Sequence, residues 1–204
     1  MIFNPFSGIK PLIVTTSSTL NATIPQGSQL SVFVVGGGGA ANSGTAGSSS
    51  FFKHETLNVD QTQSFVLEVT IGLGGMSIGA SGESTIVQGL PSVVSAQGGG
   101  GAGGRGWSGV NGDTGGSNGQ YGSYESLPNL CGVNLTPGAA GYSSSDGKGA
   151  GGVVMDHGQK PTRTSSVDGE GFGAGGGEDN RHGYPGLVVL TLCEENGFSF
   201  NYYE

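Results

Sequence analysis

The chain has 204 residues, 44 of them glycine, and a formal net charge of −8 with only seven Lys and Arg. Those seven lie singly between Lys10 and Arg181, so no basic stripe is available to neutralise phosphates, which argues against nucleic acid and anionic membrane surfaces as partners. No apolar run approaches the roughly 18 residues of a membrane span, which excludes membrane insertion by a helix, and the acidic balance serves solubility.

In chain order, Met1–Lys10 lacks both a basic start and a continuous apolar stretch and does not read as a signal peptide. Leu12–Thr16 is apolar and β-branched, and Ser17–Ile24 alternates weakly before a Pro25-Gln-Gly27 turn. Gln29–Val35 (QLSVFVV) is a strong strand running straight into Gly36–Gly39. Phe51–Val59 and Ser64–Ile71 read as the next pair, with Asp60–Gln63 as a hairpin loop between them. In the second of these, Phe65, Leu67, Val69 and Ile71 share one face, and Val66, Glu68 and Thr70 share a wet one. Glu83–Gln88, Ser92–Gln97 and Gly186–Cys193 complete the series. No segment of ten or more residues carries the 3.6-residue period of an amphipathic helix.

Apolar residues and glycine are segregated. Residues 98–186 hold 29 of the 44 glycines but nine of the 46 Val, Ile, Leu and Phe, so this stretch is not expected to build an ordinary core. Glycine recurs there every third residue, at Gly100, Gly103, Gly106, Gly109, Gly112 and Gly115, and after a slip at Gly116, Gly119 and Gly122. A period of three fits neither helix nor strand, but it fits an extended left-handed helix with three residues per turn. Such rods can pack backbone to backbone through their glycine faces. The clusters Gly36–Gly47, Gly138–Gly152 and Gly169–Gly177 are candidates for neighbouring rods. Proline is absent from 98 to 127, which argues against a collagen triple helix. One domain is expected over 1–204: strands in 12–97 and 186–193, a glycine-rich insert at 98–185, and a tail at 194–204.

Motifs of chemistry are weak. Gly104-Arg-Gly-Trp-Ser-Gly109 matches a dinucleotide fingerprint, yet Val110–Gly116 cannot open the helix that motif needs. Gly115-Gly-Ser-Asn-Gly119 matches a nucleophile elbow without its strand and helix. His54, His157 and His182 have no metal-ligand spacing. Asp113, Asp146, Asp156, Asp168, Glu170, Glu178 and Asp179 read as solvated loop charge rather than calcium ligands, because no nonapeptide repeat holds them. No catalytic residue, metal or cofactor is expected. Cys131 and Cys193 are expected to be free, partly buried thiols, since no export signal accompanies them. Trp107, Tyr121, Tyr124, Tyr142 and Tyr184 are the candidate recognition residues, because rings on loops between rigid rods suit contact with sugars or protein surfaces. Capping of the rods against the strands is the equal alternative for them.

The order of parts resembles a known family. A strand ends in Gly36-Gly-Gly-Gly39, and a hairpin-like stretch leads to Val69-Thr-Ile-Gly-Leu-Gly-Gly75. Gly82-Glu-Ser-Thr-Ile86, Val94-Ser-Ala-Gln-Gly-Gly-Gly-Gly101, Gly173-Ala-Gly-Gly-Gly177 and Tyr184-Pro-Gly-Leu-Val-Val-Leu190 follow. Over roughly residues 12–193 this is similar to the glycine-rich domain of phage tail and bacterial surface proteins. It is more distantly similar to the glycine-rich domain of the anaplastic lymphoma kinase receptor. The resemblance implies an all-β fold, a jelly-roll-like antiparallel sandwich with an inserted bundle of polyglycine II-type extended helices, and a role in binding or assembly. The expected function is therefore a non-enzymatic virion structural or host-attachment protein: a tail-fibre, tail-tip or capsid-decoration component assembled in the host cytoplasm. Its partners would be other virion proteins, copies of itself, or a host surface glycan or protein. A cellular surface adhesin or extracellular matrix protein is the alternative, and ice binding is a weaker third reading, since the residues between the glycines are irregular. The chain departs from the family in its aromatic tail, Phe198-Ser-Phe-Asn-Tyr-Tyr203.

Overall fold

A computed structural model of the chain describes residues 11–42, 46–101, 105–106, 120–121, 127–137, 151–155, 160, 162, 168, 170–177 and 181–194. Its elements are all strands: β1 Leu12–Val14, β2 Ser18–Ile24, β3 Ser28–Val35, β4 Phe52–Val59, β5 Gln63–Thr70, β6 Thr85–Gln88 and β7 Val94–Ala96. Short β8 Arg105–Gly106, β9 Gln120–Tyr121, β10 Leu135–Pro137 and β11 Val153–Met155 precede the long β12 Leu187–Glu194. The main strands form two four-stranded antiparallel sheets, ordered β1-β12-β3-β4 and β2-β5-β6-β7.

Alternation decides which side chains meet. Leu30, Val32, Val34, Val188 and Leu190 of the first sheet share one core with Ala22, Ile24, Leu67, Val69, Val87 and Val94 of the second. Fully burying an aliphatic side chain of this size contributes roughly 1.5–3 kcal/mol. The other face of β5 is wet, with Val66 57% exposed, as its sequence pattern requires. The central strands of the first sheet, β3 and β12, are buried on both faces, which explains the unbroken apolar run Val32–Val35. Phe33, Val35, Leu187 and Val189 point away from the shared core into a second cluster with Leu130, Val133, Val153, Met155 and Phe172. Four of the nine large apolar residues counted in the glycine-rich stretch, together with Met155, are thus not scattered but cover the back of this sheet.

Two expectations need correction. Asp60–Gln63 does not close a hairpin: β4 pairs with β3, β5 pairs with β2 and β6, and the link between them crosses from one sheet to the other. Four residues extend to about 13 Å, enough to bridge facing sheets about 10 Å apart. Cys131 and Cys193 are not free thiols but a disulfide, with Cα atoms 5.7 Å apart. Cys131 sits in the tight turn between the bridged residues Leu130 and Val133, where Gly132 has φ +73°, and that turn packs over β12. Proximity in the fold decides the pairing. Cross-linking across a sequence separation of 62 residues removes unfolded-state freedom of about 4 kcal/mol in a chain-entropy model.

At one end of the two sheets the strands run on into extended segments that surround residues 36–41. The N–H groups of Gly36 and Gly39 donate to the carbonyls of Phe51 and Ser48. Those of Gly37 and Ala40 donate to Glu83 and Ala80, and those of Gly38 and Ala41 to Tyr184 and Arg181. Partners therefore recur every third residue, in three directions, while the partner numbers fall by three. The carbonyls of Gly37, Gly38 and Gly39 accept from Gly99, Gly75 and Gly176 on three further segments. Neighbouring outer segments also bond each other: Phe51 to Gln97, Gly82 to Gly99, Glu83 to Leu73, Gly183 to Gly75, Tyr184 to Ala174, and Gly47 to Gly176. Among the described residues, six segments thus ring a seventh.

Close approach explains the composition of the centre. A Cβ on Gly36, Gly37, Gly38 or Gly39 would overlap the carbonyl of Gln97, Leu73, Ala174 or Gly100 respectively. Of the every-third-residue series, Gly100 lies in this ring and Gly106 lies in β8, which pairs in parallel with β9. Gly103, Gly109, Gly112 and Gly115 lie outside the described residues.

We predict that Gly39→Ala destabilises the protein by more than about 4 kcal/mol, because no backbone can yield to the new methyl. Gly27→Ala, at φ +76° with open space around the new Cβ, should cost about 1–2 kcal/mol. Urea denaturation of both variants checks the difference, and equal losses would contradict a closed ring of backbone contacts.

Candidate functional site

Six of the seven described segments have one end at the sheets and one end away from them. Gly36, Phe51, Gln97, Gly72 and Gly186 adjoin strands. Ala41 lies at the opposite end, where its carbonyl accepts from Gly79 and its N–H donates to Arg181. A Cβ on Gly101 would overlap the Gly79 carbonyl, and one on Gly176 would meet the Arg181 carbonyl. The far end of the ring therefore gathers Ala41, Gly79, Gly101, Gly176 and Arg181, positions separated by up to 140 residues in sequence. Two large apolar side chains are exposed there: Met76 is 64% exposed and Ile78 62%, on the turn in which the Ala80 N–H donates to Ser77.

A buried polar group braces the same end. Asp168 has no exposure; its Oδ1 accepts from the Gly177 N–H at 2.9 Å and its Oδ2 accepts from the Tyr184 hydroxyl at 3.0 Å. Arg181 Nε stands 4.0 Å from Asp168 Oδ1 and is buried without a hydrogen-bond partner. One carboxylate thereby ties together the segments ending at Gly177 and Tyr184. This corrects the expectation that Asp168 is a solvated loop charge. Glycine-rich surroundings look like surface in sequence, but here they are the interior. Glu170 pairs with the half-exposed Lys160.

Tyr184 is likewise withdrawn from the surface, 7% exposed with its hydroxyl on Asp168, so its ring caps the segments rather than facing outward. The backbone of Tyr121 pairs with Gly106. Trp107, Tyr124 and Tyr142 lie outside the described residues, as do His157 and all the acids named with Asp168 except Glu170. Among the described residues no group of three His, Cys, Asp or Glu side chains could hold a metal, and no helix is long and apolar enough to cross a membrane. His54 Nε2 lies 2.7 Å from Ser31 Oγ, whose residue is 3% exposed. The pair links β3 to β4. Sequence reasoning missed Met76, Ile78 and the Asp168 brace, because periodicity says nothing about which glycine-flanked residues reach the tip.

A family model described as a glycine-rich domain matches residues 15–191. The chain belongs to the glycine-rich domain family. The matched region of this glycine-rich domain runs from just after β1 to Thr191 on β12, and so includes the second sheet, β3, β4 and most of β12 of the first, and every segment of the ring. No curated protein and no solved structure matches the chain.

Two predictions test the polar contacts. Tyr184→Phe removes one donor from a buried carboxylate and should lower stability by about 1.5–3 kcal/mol, read from urea midpoints; a wild-type midpoint would show that the brace is idle. Burial holds the His54 imidazole below its usual 6.5, with Glu55 partly offsetting it. The unfolded chain then binds more protons than the folded one just below pH 6.5. The contribution of His54 is accordingly full above that pH and is lost as pH falls toward the folded value. An NMR titration should give a midpoint under 6.5, and a midpoint at or above 6.5 would contradict the burial argument.

Proposed function

We propose that this glycine-rich domain is a non-enzymatic virion structural or host-attachment protein, a tail-fibre, tail-tip or capsid-decoration component. In this reading the two sheets are a jelly-roll-like sandwich, and the ring around residues 36–41 is a bundle of polyglycine II-type extended helices. The observation that carries it is the three-residue recurrence of bonds along Gly36–Ala41, which suits a helix with three residues per turn. Such a bundle is a stiff stand: each segment is bonded to its neighbours along its length, and its far end is fixed relative to the sheets. Binding groups held there lose little freedom on docking, which favours affinity. Gly101 lies at that end, opposite the Gly79 carbonyl, near the turn that carries the exposed Met76 and Ile78.

A disulfide suits a protein that works outside a reducing cytoplasm, at a virion or cell surface. It therefore also supports the second reading, a cellular surface adhesin or matrix protein. Recovery of the chain with intact virus particles after gradient purification would favour the virion role; its retention on the producing cells would favour the adhesin.

For attachment, Tyr124→Ala combined with Tyr142→Ala should weaken binding to host cells or envelope fragments by at least 30-fold, taking roughly 2 kcal/mol for an aromatic hot spot. The melting temperature should stay that of the parent protein. Undiminished binding, or a loss that tracks unfolding, would place the contact elsewhere.

A further inference from the structure

The layer on the back of the first sheet is held at its two ends by different means. At one end it is bonded to the ring: the Gly152 N–H donates to Glu170 at 2.8 Å, and Val153 and Phe172 exchange bonds at 3.0 and 2.8 Å. From Phe172 the chain continues into the segment whose Gly176 donates to Gly39. In the middle, β10 is paired to β11 over Leu135–Pro137 and Val153–Met155. At the other end, residues 127–133 lie over β12 through Leu127, Leu130 and Val133 and through the Cys131–Cys193 disulfide. Beneath are Phe33, Val35, Leu187 and Val189, with Ile13 and Phe52 at the margin. The shared core between the two sheets does not involve this arm.

We propose that the Cys131–Cys193 bond is a redox latch, which fixes the 127–137 arm over the back of the first sheet when oxidised and lets it lift when reduced. The arm is suited to opening locally. It contributes four apolar side chains to the cover, Leu127, Leu130, Val133 and Leu135, while the strands below keep their own ladders on both sides. Its cysteine is also the accessible one: Cys131 is exposed, whereas Cys193 is half-buried on β12. Exposed disulfides are those that exchange.

Opening proceeds by thiol–disulfide exchange with a low-molecular-weight thiol. A thiolate RS⁻ attacks Cys131 Sγ, breaking the protein disulfide and releasing the Cys193 thiolate, which takes up a proton. A second RS⁻ attacks the outer sulfur of the mixed disulfide, releasing Cys131 as a thiolate and RSSR as the oxidised product. Two electrons pass from two thiols to the protein. Closure is the reverse, with RSSR as oxidant. A chain made in a reducing compartment would therefore fold both sheets and the ring first, and close the arm on reaching an oxidising one. Opening would bare an apolar strip around Phe33 and Val189. The inference stands apart from the virion reading, since it concerns only the arm and the sheet beneath it.

The test uses the full chain in glutathione buffers of increasing reduced fraction, followed by amide hydrogen exchange, with thiol alkylation mass to count free cysteines. On reduction, amides within 127–137 should exchange roughly 100-fold faster, while those of Val32–Val35 and Gly37–Ala41 stay within about twofold of the oxidised protein. Cys131→Ser should show the same open pattern without reductant and no further response to it. Unchanged exchange at 127–137 would overturn the latch. So would acceleration everywhere at once, which would make the bond a staple for the whole fold. Alkylation of both cysteines in non-reduced protein would overturn it as well.

Discussion

Residues 36–41 have backbone on every side, and each successive N–H from Gly36 to Ala41 is used in a different direction from the one before it. Buried peptide groups must be bonded, and here there are no side chains to do the bonding and no room for any. The centre tolerates hydrogen at Gly36–Gly39 and methyl at Ala40 and Ala41, both buried. Glycine loses the most conformational freedom on ordering, so a single such segment would stay unfolded. Six neighbours bonded to it and to each other make the arrangement cooperative: none of the seven can leave without orphaning groups on the others.

Ring and sheets depend on each other through chain continuity. β3, β5 and β7 lead outward into Gly36–Ala41, Gly72–Gly75 and Gly98–Gly101, while β4, β6 and β12 are entered from Gly47–Phe51, Gly79–Glu83 and Arg181–Gly186. The sheets therefore deliver six strand ends already spaced and aligned, which supplies much of the ordering that the glycines oppose. In return the ring closes connections that would otherwise be long loops. The antiparallel register of β3 and β4, from Val35↔Phe52 to Ser28↔Val59, is closed by two ring segments rather than by a tight turn. Burial of Leu30, Val32, Leu67 and Val87 between the sheets anchors the near end, and the Asp168 carboxylate braces the far one.

The first sheet carries a further consequence. Its central strands β3 and β12 are apolar on both faces, so one face requires a cover that the second sheet does not provide. That cover comes from the glycine-rich stretch itself, through Leu130, Val133, Val153, Met155 and Phe172, and the disulfide holds down the end that the ring does not reach. The protein thus has three parts of different chemistry: an aliphatic core, a ring joined chiefly through backbone hydrogen bonds, and a thin apolar cover secured by a covalent bond.

The positions of β1–β7 and β12 were legible in the sequence, helped by alternation, because inward residues such as Leu67 and Val69 must differ from outward ones such as Val66 and Glu68 wherever one face is wet; the short β8–β11 were not. That glycine faces pack backbone to backbone also follows from sequence, and residues 36–41 do so; the every-third-residue run Gly100–Gly122 lies mostly outside the described residues. Which glycines meet does not follow from sequence. Gly82 and Gly183 each stand opposite carbonyls of the central segment, Gly37 and Gly38 respectively, although neither lies in a glycine-rich periodic run. Their requirement comes from a neighbour more than 40 residues away. The sheet assignments of β4 and β5, the pairing of Cys131 with Cys193 and the burial of Asp168 and Tyr184 were decided in the same way. Local sequence fixes what each residue can tolerate around it, while the identity of its surroundings depends on contacts between distant segments, which only the closed tertiary structure supplies.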